Sequence, residues 1–196
     1  MAIFAFPKIR VALAILSMEV LTFGLLDSKV LGDEQELKLL AKSQAKSLSI
    51  AFQNAAGMAM PAVVTVLAKR ADVDATLDEL DLLDSNSTRN FNIGSGVILE
   101  DKGLCVTNHH VIKDTKGIRV RLADGRELPG NDPVSDPSSD IAIFRIASDT
   151  PLPHVDLGNS DRLAIGDWVI AIGSPFALEQ TVSVGIISSK GRALSR

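Results

Sequence analysis

Residues 61–146 are a succession of short β-branched runs broken by turn residues, and this texture limits the fold more than anything else in the chain. The runs are 62–68, 95–99, 104–107, 118–122, 127–131 and 141–146. Asp101-Lys102-Gly103, Asp124-Gly125 and a loop from Asp132-Pro133 to Asp136-Pro137 separate most of them. Six short strands within about 90 residues, punctuated by turn chemistry, predict a small antiparallel barrel. Two further runs, 167–173 and 181–188, follow a proline-containing linker at 151–153. They would begin a second barrel that the 196 residues do not finish, so the expected class is all-β.

The segments before the barrel read differently. Lys8 and Arg10 precede a mostly apolar run over 11–26, and Val30-Leu31-Gly32 offers small or short residues near a cleavage point. This is the pattern of an export signal over residues 1–32. The run falls short of the roughly 20 residues of a membrane span, and Glu19 interrupts it. An uncleaved anchor and a buried helix are the other two readings. Residues 33–59 should hold a helix, opened by Asp33 with Glu36 three positions on and stopped near Gly57. Leu37, Ala41, Ala45, Leu48, Phe52, Ala55 and Ala56 would form its apolar stripe, packed on the domain or on a neighbouring subunit.

Between the first two strands, Asp72, Asp74, Asp78, Glu79, Asp81 and Asp84 precede any base until Arg89. A solvated loop is expected there. A short interaction helix carrying Leu77, Leu80 and Leu83 is the alternative. Asn86-Ser87-Thr88 matches a glycosylation sequon, a weak motif at that length.

Composition removes several classes of function. The net charge is −4 and no basic stripe stands out, which sets aside a nucleic-acid partner. The single cysteine, Cys105, can form no internal disulfide and no C-x-x-C site. It falls inside a strand and reads as a small buried hydrophobe. The hydrophobic fraction of 46% supports a packed core.

Chemistry concentrates in two places. Thr107-Asn108-His109-His110-Val111 follows directly on an apolar strand, where a general base is held rigidly yet open to substrate. On an extended backbone two adjacent histidines face opposite ways, so one would be functional and the other structural or exposed. They lack further ligands at workable spacing, so no metal site is expected. Asp140, within Asp136-Pro137-Ser138-Ser139-Asp140-Ile141-Ala142, immediately precedes the strand 141–146. A buried carboxylate needs a hydrogen-bonded partner. An imidazole Nδ1–H is one, and the pairing leaves Nε2 free to take a proton. An aspartate satisfied by backbone N–H groups in a turn is the other reading.

Taken in order, these stretches resemble the HtrA/Deg family of trypsin-like serine proteases. They are Gly94-Ser95-Gly96-Val97-Ile98, Thr107-Asn108-His109-His110-Val111, and Asp136-Pro137 with Ser139-Asp140-Ile141-Ala142. Gly166-Asp167-Trp168-Val169-Ile170-Ala171-Ile172-Gly173-Ser174-Pro175 and Thr181-Val182-Ser183-Val184-Gly185-Ile186-Ile187-Ser188 continue the series. The resemblance implies two six-stranded barrels with the active site between them. It puts the catalytic histidine on His110 rather than His109, and the orienting aspartate on Asp140. It also implies export to a periplasmic or similar compartment, no cofactor, unfolded or misfolded polypeptides as substrates, and a homo-oligomer in the full-length family. The family's serine sits in a Gly-Asn-Ser-Gly-Gly stretch beyond Gly166-Asp167. Gly158-Asn159-Ser160-Asp161 comes too early and lacks the glycines, so Ser160 is a decoy and no nucleophile is assigned within these residues. The implied function is a serine endopeptidase of protein quality control. A catalytically inactive, truncated relative serving as a binding or subunit-interaction module is the alternative, and a plain structural β domain is a third.

Overall fold

The computed structural model describes residues 2–5, 29–72, 90–174 and 180–191. Residues 29–55, the described part of a second unit, are helical throughout and belong to helix α1, Lys29–Ala59. This helix begins one turn before Asp33, which therefore lies inside it rather than at its N-cap. Leu37, Leu39, Leu40 and Ile50 are exposed along it. The expected stripe is thus open to solvent over its first half, at Leu37, Ala41 and Ala45. Among the described residues no helix is long and apolar enough to cross a membrane. The expected leader is described only at its ends, as strand β1 (Ala2–Ala5) and as the first residues of α1. Its apolar centre, the leucines 77, 80 and 83, and the sequon at 86–88 lie outside the described residues.

Six strands close into a barrel: β2 (Val63–Arg70), β3 (Phe91–Ile98), β4 (Leu104–Thr107), β5 (Thr115–Arg121), β6 (Glu127–Asp136) and β7 (Ile141–Ile146). The order around it is β2-β3-β4-β7-β6-β5, with every neighbour antiparallel and β5 returning to β2. Successive side chains along each strand point to opposite sides. On β7, Ala142, Phe144 and Ile146 are buried while Ile141, Ile143 and Arg145 are exposed. Phe144 and Ile146 join Val64, Val66, Ile98, Cys105, Ile118, Val120 and Leu122 in one core. Cys105 is fully buried, and that burial pushes its thiol up to about 12.

The largest boundary differences from the sequence reading are at β3 and β6. Strand β3 starts at Phe91, four residues early, because β2 runs to Arg70 and pairs with it from Lys69 on. Strand β6 continues through the expected loop to Asp136, with its register to β7 shifting between Asn131 and Val134. Pro133 cannot donate to the ladder, and Asp132 adopts φ 51°. A bulge absorbs both, and the strand resumes.

A three-stranded sheet, β1-β8-β9, carries the second group of runs, with β8 at Trp168–Gly173 and β9 at Thr181–Ile186. Strand β9 is exposed on both faces, including Val182, Val184 and Ile186. A polar seam ties this sheet to the barrel. Thr65 Oγ1 on β2 donates to Ser174 Oγ at 2.6 Å, and Ser174 N–H donates to Ser95 Oγ on β3 at 2.9 Å. Gln180 Nε2 donates to the carbonyls of Met60 and Val63 at 3.0 and 2.6 Å. Thr65 and Ser174 are buried, and a buried hydroxyl without a partner costs about 1–3 kcal/mol.

After β4 the chain turns through a four-residue helix, α2 (His109–Ile112), which seats Val111 in the barrel core. Gly94 on β3 makes room for it. A Cβ at residue 94 would stand 2.5 Å from Val111 Cγ2. Gly94→Ala should therefore cost about 1–3 kcal/mol of stability by overpacking, read as a lower urea midpoint. Adding Val111→Ala should recover part of that loss in a double-mutant cycle. An unchanged midpoint in the single variant would mean that α2 does not lean on β3.

Candidate active site

The pairing of β4 with β7 sets the site. Leu104 lies opposite Arg145 and Thr107 opposite Ala142. Continued two residues, that register brings residue 109 opposite residue 140, and His109 N–H donates to the Asp140 carbonyl at 3.1 Å. Thr107 Oγ1 anchors the strand end by donating to the Ser95 carbonyl at 2.9 Å.

The turn between β6 and β7 delivers Asp140. Asp136 organises it by accepting from Ser138 N–H at 2.9 Å, Ser138 Oγ at 2.7 Å and Ser139 Oγ at 2.7 Å. The hydroxyls of Ser138 and Ser139, then the Ser138 N–H, hold the Asp136 carboxyl down at about 2. Asp140 itself adopts φ 55°, a left-handed conformation that short polar side chains tolerate better than most.

His110 grips Asp140 with two donors. Its backbone N–H reaches Oδ1 at 3.0 Å, and its ring Nδ1 lies 2.8 Å from Oδ2. The backbone bond first, then the ring bond, lowers the Asp140 carboxyl below its ordinary 3.8. A carboxylate at Nδ1 requires the proton there, which makes Nε2 the acceptor. No side chain among the described residues bonds Nε2. The arrangement can accept a proton at Nε2 and stabilise the resulting imidazolium. The pair sits on the rim: the His110 side chain is 69% exposed and that of Asp140 36%, so the carboxylate is half-buried rather than buried as expected.

His109 behaves differently from the extended-strand argument. Residues 109 and 110 lie on a helical turn, about 100° apart, not on opposite faces of a strand. They nonetheless diverge: His109 Nδ1 lies 2.9 Å from Ser135 Oγ, on a groove also lined by Lys113, Lys116 and Asn131. Ser160 opens a 3-10 turn at Ser160–Arg162 on the surface, and no hydrogen bond among the described residues links its hydroxyl to His110. Among the described residues no three His, Cys, Asp or Glu side chains gather to hold a metal. Sequence reasoning gave no role to Ser135, Asp136 or Asn108. For Asp136 the signal was present, since Asp-x-Ser-Ser is a turn-forming pattern.

Residues 94–195 match the family described as Trypsin-like peptidase domain. The chain belongs to this family. Among its relatives is a "Probable periplasmic serine endoprotease DegP-like" of Chlamydia pneumoniae, 48% identical over 99 residues, which are 50% of this chain and 20% of that protein. A protein of the same name from Rickettsia conorii is 43% identical over 125 residues, covering 63% of this chain and 24% of the relative. This trypsin-like chain thus spans a fifth to a quarter of the length of these curated relatives. It also resembles the solved structure "HtrA-type protease AlgW with tripeptide", at 35% identity and a TM-score of 0.60, over 72% of this chain and 41% of that one.

Both carboxyls, Asp136 and Asp140, titrate lower folded than unfolded, so folding favours their ionised forms. Their stabilisation is full well above the ordinary 3.8 and is lost as pH falls through the folded values, about 2 for Asp136. A carbon-13 carboxyl titration should place Asp136 near that value, and Ser138→Ala with Ser139→Ala should move it up toward 3.8. A midpoint that stays put in the double variant would remove the two hydroxyls as the cause.

Proposed function

We propose that this chain supplies the general base, His110, and the orienting carboxylate, Asp140, of a serine endopeptidase of the HtrA type. The observation that carries the reading is the 2.8 Å contact between His110 Nδ1 and Asp140 Oδ2, with no side chain among the described residues bonded to Nε2. A protein that only binds chains has no use for an imidazole held in one tautomer at a rim. In the reaction, Nε2 takes the proton of a serine hydroxyl as that oxygen attacks a peptide carbonyl. It then returns the proton to the leaving amine, while Asp140 steadies the charge on the ring. Backbone N–H groups near the serine hold the oxyanion, each such donor contributing about 3 kcal/mol. Ser160 has no place in this scheme, and the nucleophile belongs to a glycine-rich Gly-Asn-Ser-Gly-Gly stretch that would follow β9 in the second barrel.

The relatives' names support a periplasmic setting and protein substrates. We place the exported leader at residues 1–32, the remaining helical segment at 33–59, the His- and Asp-bearing barrel at 60–150 and the start of the second barrel at 151–196. The substrates are unfolded or misfolded polypeptides, and the assembled enzyme is a homo-oligomer. No cofactor enters the chemistry.

The test compares two proteins. A fluorophosphonate probe should leave the 196-residue chain unlabelled. A protein in which this chain runs on through the Gly-Asn-Ser-Gly-Gly stretch should be labelled at that serine and should degrade unfolded casein. In that protein Asp140→Asn should lower kcat by about 10⁴-fold, and His110→Ala by at least as much. Labelling of Ser160, or casein turnover that survives His110→Ala, would sink the assignment.

A further inference from the structure

Asn108 stands where an asparagine usually has a local task. It is the N-cap residue of α2, with extended backbone at φ −85°, ψ 146°, and asparagine is among the best capping residues because its side chain accepts from N–H groups of the first turn. Here it makes no such bond. Its side chain turns to Asp140 instead, with Nδ2 donating to the backbone carbonyl at 3.0 Å and to Oδ2 at 3.3 Å. Both partners only accept, so the amide orientation is unambiguous: the flipped group would set oxygen against two oxygens.

Oδ2 is the oxygen that also accepts from His110 Nδ1. Among the described residues, the carboxylate without Asn108 is held only by donors from His110, whose side chain is 69% exposed. Two rim groups with torsional freedom orient one another poorly. Asn108 is better founded, since it follows Thr107, which β3 and β7 fix through the Ser95 carbonyl bond and the Ala142 register. One amide bridging the backbone and the carboxylate of the same residue leaves the Asp140 side chain little freedom to rotate. A second N–H on Oδ2 also draws charge from that oxygen, so the shared proton stays with Nδ1 rather than moving to the carboxylate.

We infer that Asn108 is a positioning residue, holding Asp140 Oδ2 in line with His110 Nδ1 and thereby fixing the imidazole tautomer. The inference rests on reading His110 and Asp140 as base and orienting group, and its test separates the two ideas. The measurement is the tautomer ratio of His110 in the 196-residue chain, from long-range proton–nitrogen-15 correlations at about pH 9, where imidazoles are neutral. In the parent chain the Nδ1–H form should dominate. In Asn108→Ala the ratio should move toward Nε2–H by about tenfold, the scale of one lost charge-assisted hydrogen bond. Barrel methyl resonances and the state of His109 should stay as they were. Asn108→Asp keeps the shape, replaces the donor with a like charge beside Oδ2 and should move the ratio the same way; it carries the comparison should the alanine variant fail to fold. An Nδ1–H majority in the parent that persists in both variants would overturn the role of Asn108 and leave the dyad standing. An Nε2–H majority in the parent would overturn both.

Discussion

The register between β4 and β7 is the constraint on which the site depends. Two antiparallel strands offer only discrete alignments, and a slip of one residue inverts every side chain. Phe144 and Ala142 on β7 and Cys105 on β4 must all face the core, so a slip would expose an aromatic ring and bury Ile143 and Arg145. The hydrophobic core thereby sets, at a distance, which residue stands opposite Asp140. Gly94 then allows the turn after β4 to lie flat on β3, and Val111 pins it there. The imidazole and the carboxylate meet because packing elsewhere leaves them no other arrangement.

Much of this was legible before any coordinates. The apolar run over 141–146 announced a strand, and the turn residues separated the strands correctly enough to count six. His110 and Asp140 were marked by their motifs, and they come together. The rest was hidden for physical reasons. Asp132-Pro133 reads as a break because proline lacks a donor, yet a bulge lets β6 pass through it. The turn at His109–Ile112 is too short to leave a periodicity, so an argument from strand alternation misjudged the two histidines even though they do diverge. Asn108 illustrates a different limit: sequence can recommend a residue for a cap, but only the neighbouring turn decides that its amide goes to Asp140.

The seam between barrel and second sheet is polar where an apolar contact would also have buried surface. Thr65, Ser95 and Ser174 meet through directed bonds, and Gln180 spans two carbonyls near the start of β2. Apolar contacts tolerate sliding, whereas a hydroxyl moved by an ångström loses its partner and its desolvation goes uncompensated. Ser95 serves both this seam and Thr107, through its hydroxyl and its carbonyl respectively. The placement of β8 and the end of β4 are thus tied to one residue of β3.

Cys105 gains meaning from where it lies. It points into the barrel against Gly96, at which an added Cβ would come within 2.8 Å of its sulfur, and its thiol is held up near 12. Thiolate is the form that attacks disulfides and peroxides, and here it is both scarce and sealed from them. The chain therefore presents no thiol to its surroundings while folded. It can pass through an oxidising medium without cross-linking to its neighbours, and a modified cysteine would report that the barrel had opened.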